Sequence, residues 1–351
     1  MNKLKLLLSF DYELPLGGVR SYEKGLFESA TKIINLGNQL NAPVNLFADI
    51  CSAIKFKVWD EKNYFIPFKN QIQRALKDGH DVQLHLHPHW LNSEYKDGRY
   101  IPSKWNMLSH FKDEPYPNNI EGIVKTGTDF LTELCVDVKK DYKCIAYRAG
   151  GFNLYPETEK ILTALYQNGI RIDSSIPKNY YLKTDQITID HRNMPKKANW
   201  FIPINGPVNA ESDSGLFEIS IAGKPKNFIS NFPTHIKKRM YKDRVYNSTG
   251  YGHIGKQSSF IDLVRLSFAP RMLGFDLYTQ SINELMNILK YNIELYKNEK
   301  SVYLSVISHP KAMGDYHVSL MKNFIEKTRE KYGNFVEFIS YRQAYDELQL
   351  R

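Results

Sequence analysis

Cysteine is scarce in this chain: three residues in 351, namely Cys51, Cys135 and Cys144, with none in a Cys-x-x-Cys pair. That count excludes a disulfide framework and fits a reducing compartment. Long apolar runs are lacking too, since no stretch approaches the ~20 residues a membrane span needs. The apolar run at the N-terminus stops at Phe10 and meets Asp11. It is too short for a signal peptide's apolar region and has no small-residue cleavage site, so the chain reads as soluble and cytoplasmic. There is no long polybasic run and no nucleic-acid motif. The net charge of +9 is scattered, and its densest patch, Lys237-Lys238-Arg239, reads as a solvated face. Internal repeats and low-complexity linkers are absent as well.

What is present is an ordinary globular balance, 42% hydrophobic and 24% charged, at a length that buries a sizeable core. The 23 Tyr and 19 Phe read first as background composition. The alternative is an aromatic-lined groove for sugar rings.

Residues 4–10 form a nearly continuous apolar run, the pattern of a strand buried on both faces. Leu26, Phe27, Ala30, Ile33, Ile34 and Leu40 then recur at helical spacing. Further strands are expected at 43–48, 81–86, 144–147, 170–172, 216–221, 302–307 and 335–339. Helices are expected around 72–79, 120–134 and 156–169. Strands alternating with helices imply parallel pairing, and seven or eight units predict an α/β fold, a closed or distorted (β/α)7–8 barrel. In such barrels the chemistry sits at the C-terminal strand ends. Polar residues fall at those ends: Asp11 and Glu13, His85 to His89, Arg148, Asp173 and His309. A single domain over 1–351 is expected. Residues 177–257, rich in Asn, Lys, Pro and Gly, read as a loop-rich insertion or lid before the last strands.

The stretch from Gly79 to His89 packs four histidines into ten residues, His80, His85, His87 and His89. His85 and His89 are the best ligand pair, on a strand end turning into a helical loop. His87 is a spare ligand or a loop contact, and His80 a packing residue. Two imidazoles plus a distant carboxylate make a three-ligand set with room for water, the count of a catalytic zinc site. Asp11 and Glu13, two apart on an extended strand, share a face while Tyr12 points away. Arg148 can hold a carboxylate with two hydrogen bonds. The glycines after it let backbone approach a ligand and offer N–H groups to an oxyanion. An Asp173–His309 pair would raise the histidine's basicity and fix its tautomer.

These segments, in this order, resemble the polysaccharide deacetylase family with the NodB-type fold, also called carbohydrate esterase family 4. Ser9-Phe10-Asp11-Tyr12-Glu13 resembles its first motif, Gly79 to His89 the second and Arg148-Ala149-Gly150-Gly151 the third. Asp173 falls at the fourth, and Leu304 to His309 at the fifth. The resemblance implies a divergent member that is a metal-dependent N-deacetylase of an amino sugar in a glycan or glycan precursor. It implies a divalent ion, Zn2+ foremost, held by His85, His89 and a carboxylate. Asp11 would be the general base, oriented by Arg148. The Gly151 N–H would bind the oxyanion, and His309, steered by Asp173, would protonate the leaving amine. The family's metal-binding second aspartate is Tyr12 here, so Glu13 is the substitute ligand; the reverse assignment, Asp11 as ligand and Glu13 as base, stays open. The expected partner is a carbohydrate, with the basic segment pointing to an acidic or phosphorylated glycan. Alternatives are a hydrolase of another linear or cyclic amide on this fold and a non-catalytic carbohydrate-binding relative.

Overall fold

The apolar run at the N-terminus becomes β1 (Lys3–Tyr12), around which the sheet is organised. The computed structural model describes residues 3–15, 21–96, 99–183, 187–225, 270–277 and 279–350. In chain order the further parallel strands of the main sheet are β2 (Val44–Asp49), β3 (Asp81–Leu86), β4 (Ala146–Ala149), β5 (Ile172–Asp173), β6 (Leu216–Ile219), β7 (Ser301–Ser308) and β8 (Val336–Phe338). The path runs β6-β5-β4-β3-β2-β1-β7, every pairing parallel, with β8 beside the first half of β1. Helices α1 (Glu28–Gln39), α2 (Ile50–Trp59), α3 (Ile66–Lys77), α4 (Ile120–Val136), α5 (Thr158–Gln167), α6 (Ile282–Leu295), α7 (Asp315–Tyr332) and α8 (Tyr341–Leu348) complete the layers. This is a mixed α/β barrel, nearly closed.

Closure between β6 and β7 uses few bonds. Ser305 N–H donates to the Ser220 carbonyl at 3.0 Å, and Ala222 N–H to the Ser305 carbonyl at 2.8 Å. Further down, the Asn199 side chain fills the gap as a short strand would. Its amide donates to the carbonyls of Glu218 (3.0 Å) and Tyr303 (2.8 Å), and its oxygen accepts from Tyr303 N–H at 2.9 Å. Asn199 belongs to a strand, Asn199–Ile202, that runs antiparallel to β6. The described part of the 177–257 segment thus contains sheet structure, including a hairpin of Tyr181–Lys183 with Thr188–Asp190. The rest of that segment from 226 on, with Lys237, Lys238 and Arg239, lies outside the described residues.

Alternation along each strand sorts side chains into two cores. Leu6, Leu8 and Phe10 face the helices. Leu7, Phe47, Ile145, Ile172, Phe217, Ile219 and Tyr303 form a separate cluster inside the barrel. Above this apolar floor lies a polar tier, Ser9, Arg148, Ser174 and Ser305, all buried. The ionisable residues sit above that, at the C-terminal mouth. The fourth strand starts later than residue 144, because the Gln83 side-chain oxygen takes the N–H groups of Ile145 and Ala146, both at 2.9 Å. Arg148 is consequently inside the strand rather than after it.

Candidate active site

Asp11 and Glu13 end β1 on the inward face, both buried. Tyr12 points the other way, donating its hydroxyl to Gln71 on α3 at 2.6 Å. His85 ends β3 with Nδ1 at 2.8 Å from the Arg148 carbonyl. A carbonyl only accepts, so Nδ1 carries a proton, which leaves Nε2 as the nitrogen that can turn to a metal. That Nε2 stands 3.1 Å from Glu13 Oε2, and His87 Nε2 contacts the same oxygen. Ligand atoms of Glu13, His85 and His87 all lie within 4.8 Å of one another.

His89 stands outside this group. The backbone stays extended through His87 (φ −113°, ψ 86°) and then turns at Pro88 into the short helical segment Pro88–Asn92. Residues two apart on extended backbone share a face, so His87 rather than His89 joins His85. The sequence pairing of His85 with His89 assumed a helical turn that begins too late to bring them together. The His89 ring instead leans on Trp90, centroids 4.8 Å apart, with both nitrogens buried and unpaired. Burial, reinforced by the charge of His87, pushes its pKa down to about 3. His80 packs away from the site, with Nδ1 accepting from Val44 N–H.

Arg148 is fully buried and directs its fork downward and across. One nitrogen donates to Asp11 Oδ1 at 3.0 Å; the other reaches the hydroxyls of Ser9 (3.0 Å), Ser305 (3.0 Å) and Ser174 (3.2 Å). Its plane lies over the Phe47 ring, 4.6 Å from the centroid. Tyr341, the first residue of α8, reaches up through the floor to donate to Ser305 at 2.9 Å. Gly151 lies in the turn after β4 at φ +62°, a conformation L side chains rarely adopt.

His309 ends the β7 side of the mouth. Its Nδ1 is 2.6 Å from Asp276 Oδ2, and its Nε2 faces Asp11 at 3.6 Å and Glu13 at 3.8 Å. Burial alone would lower its pKa; the Asp276 carboxylate outweighs this and raises it. Asp276 thus stands where the sequence placed Asp173. Its segment packs on β7 through Gly274, where a Cβ would meet the Ile307 carbonyl at 1.9 Å. A cavity of about 270 Å³ lined by Phe152, Met272, Asp276, Leu277 and His309 opens beside the pair.

Asp173 faces away because alternation turns Ser174 inward to Arg148. It accepts from the Ser175 hydroxyl at 2.7 Å and lies in register with Glu218 on β6. Both carboxyls are fully buried. Burial first, then the Asp173 charge, raises the Glu218 pKa well above its ordinary value, and burial raises that of Asp173 as well. A raised carboxyl pKa means the unfolded chain gains free energy by ionising as pH climbs past the ordinary value, while the folded chain does not. Glu218→Gln lacks this loss. It should be more stable than wild type at pH 8, by on the order of 1 kcal/mol or more, with the gain vanishing at pH 4. Urea unfolding at the two pH values checks this.

The donor set fits a divalent metal. Two imidazole nitrogens and a carboxylate oxygen converge, which requires protons or a cation between them. Although burial opposes it, the carboxylates of Asp11, Glu13 and Asp49 lift His85 to about 9. Burial would likewise raise Glu13, but His87 and Lys311 hold it well below the usual carboxylate range. Asp49, fully buried at the end of β2, accepts from His87 N–H at 3.3 Å and keeps its second oxygen unpaired. Asp49, Asp276 and Lys311 escaped the sequence reading. Asp49 carried a signal, one residue beyond the strand expected at 43–48, and so did Lys311, two residues beyond His309.

No protein-family model matches the sequence, and no curated protein matches it. Solved structures do match. A Mycobacterium smegmatis protein described as a polysaccharide deacetylase aligns over 99% of this chain and 91% of its own, with a TM-score of 0.53 at 11% identity. This chain has the polysaccharide deacetylase fold. A 4-alpha-glucanotransferase from Thermococcus litoralis aligns over 99% of this chain and 41% of its own, TM-score 0.50 at 9% identity. An allantoinase aligns over 99% and 90%, TM-score 0.49 at 13% identity. The first two names denote different reactions, so chemistry has to be argued from the site and not from the barrel. Among the described residues no helix is long and apolar enough to cross a membrane.

Proposed function

We propose that this protein is a zinc-dependent hydrolase that removes an N-acyl group, acetyl foremost, from an amino sugar of a glycan or glycan precursor. The observation that carries the reading is the meeting of Glu13, His85 and His87 at the barrel mouth. It is flanked on one side by Asp11 paired with Arg148 and on the other by His309 paired with Asp276. Glu13, His85 and His87 would hold the ion. A bound ion would supply Lewis acidity toward the amide carbonyl and the attacking water. Asp11, held in place by the Arg148 guanidinium at 3.0 Å, takes the water proton. The backbone N–H of Gly151, in the turn that follows β4, serves the oxyanion. His309 returns a proton at Nε2 to the leaving amine, because Asp276 holds Nδ1–H and so orients the ring. An amine needs that acid, whereas a purely binding protein would have no use for two oriented charge pairs. The apolar cavity beside His309 suits an acyl group or the apolar face of a sugar ring. A hydrolase of another amide would use the same residues and differ in its leaving group.

Elemental analysis coupled to an acetate-release screen over N-acetylated sugars tests this reading. One zinc per chain is expected, with acetate release abolished by chelator and restored by zinc. His85→Ala should lose both. A chain that takes up no metal under zinc excess defeats the reading.

A further inference from the structure

Glu13 divides its carboxylate between two sides. Oε2 faces both imidazoles, with His85 Nε2 at 3.1 Å and His87 Nε2 in contact. Oε1 accepts from Lys311 Nζ at 2.6 Å. Lys311 sits on the turn Pro310–Ala312, directly after His309, and its side chain is largely buried. Resting on the metal-dependent reading, we propose that Lys311 sets the strength of the metal site. It keeps Glu13 a one-oxygen ligand and opposes the ion with its own charge.

The sign follows from what lies behind the ligand. A ligating histidine is backed by acceptors, which raise its basicity and tighten binding, whereas an ionised carboxylate can be backed only by donors. Lys311 is a cationic donor and does the reverse: it draws charge from Glu13 and stands one carboxylate away from where a dication would rest. With Oε1 occupied, Glu13 cannot turn to offer both oxygens. The ammonium also adds positive charge on the His309 side of the mouth. The site thereby gives up affinity and keeps an ion that is a stronger Lewis acid. Losing the 2.6 Å hydrogen bond would loosen Glu13, but Coulomb repulsion at this separation is the larger effect.

Zinc affinity, measured on the full chain by competition with a chromogenic chelator, separates charge from positioning. Lys311→Met removes both, Lys311→Gln keeps a donor without charge, and Lys311→Arg keeps the charge. Both neutral variants are expected to bind zinc at least about tenfold more tightly than wild type, and Lys311→Arg within about twofold of it. Equal or weaker binding by the neutral variants overturns this inference and leaves the metal site standing. Zinc uptake by none of the four proteins overturns the metal reading and this inference together. Should Lys311→Met fail to fold, Lys311→Gln against Lys311→Arg decides the matter.

Discussion

Arg148→Met is expected to destabilise the protein by about 3–5 kcal/mol, the range for breaking a buried ion pair by removing one partner. Arg148 is fully buried, and its hydrogen-bonded carboxylate is Asp11, itself buried. Methionine fills much of the volume but leaves Asp11 without its cation. Three hydroxyls, those of Ser9, Ser174 and Ser305, lose a charged donor at the same time. The hydroxyl protons already have acceptors elsewhere: Ser9 donates to the Val306 carbonyl at 2.7 Å and Ser174 to the Ile219 carbonyl at 2.8 Å. Ser9 and Ser174 therefore meet Arg148 with lone pairs and have no proton left to offer Asp11. Arg148→Lys should recover part of the loss, since one ammonium cannot fork to four oxygens on two sides. The double variant Asp11→Asn with Arg148→Met should be less destabilised than the sum of the singles, because it removes the stranded charge. Denaturant midpoints at constant slope measure all four. Additive losses would mean that the two side chains do not form one unit.

The same residues mark how far sequence reading reaches. β1 and β3 were legible because their apolar runs and alternation are local properties, and the ends of both strands carry the ionisable groups. The face-sharing of Asp11 and Glu13 follows from the period of a strand alone. The choice between His87 and His89 was also encoded locally: Pro88 biases the residue before it toward extended backbone, which keeps His87 on the face of His85. Asp276 was not legible, because its place beside His309 depends on Gly274 packing against the Ile307 carbonyl. That is a contact between segments about thirty residues apart with no periodic pattern to announce it. Asp173 drew attention through its position at a strand end, and alternation sent it to the outer face. The closure by Asn199 is likewise a side-chain bridge between β6 and β7, invisible to any pattern of burial. The many aromatics went mostly to the core, as in the cluster of Phe56, Tyr64, Trp90 and Tyr100 beside the mouth. Among the described residues, these four are packing.

Asp11→Asn and Glu13→Gln should separate turnover from metal uptake, although the two residues are two positions apart on the same face. Glu13 Oε2 meets two ring nitrogens, whereas Asp11 is engaged by Arg148 at 3.0 Å and faces His309 at 3.6 Å. Glu13→Gln exchanges a charged ligand for a neutral one, and zinc uptake should fall steeply with activity following it. Asp11→Asn keeps shape and hydrogen bonding but cannot accept a proton. Its zinc content should match wild type while the rate of acetate release falls about 10²- to 10⁴-fold, the usual worth of a positioned general base. Zinc per chain and single-turnover acetate release, measured on the same preparations, read the two effects independently. If instead Asp11→Asn loses zinc and Glu13→Gln retains it, the roles are exchanged. The ion would then sit against the Arg148 charge, an arrangement in which the guanidinium repels the metal and no longer serves to position a base.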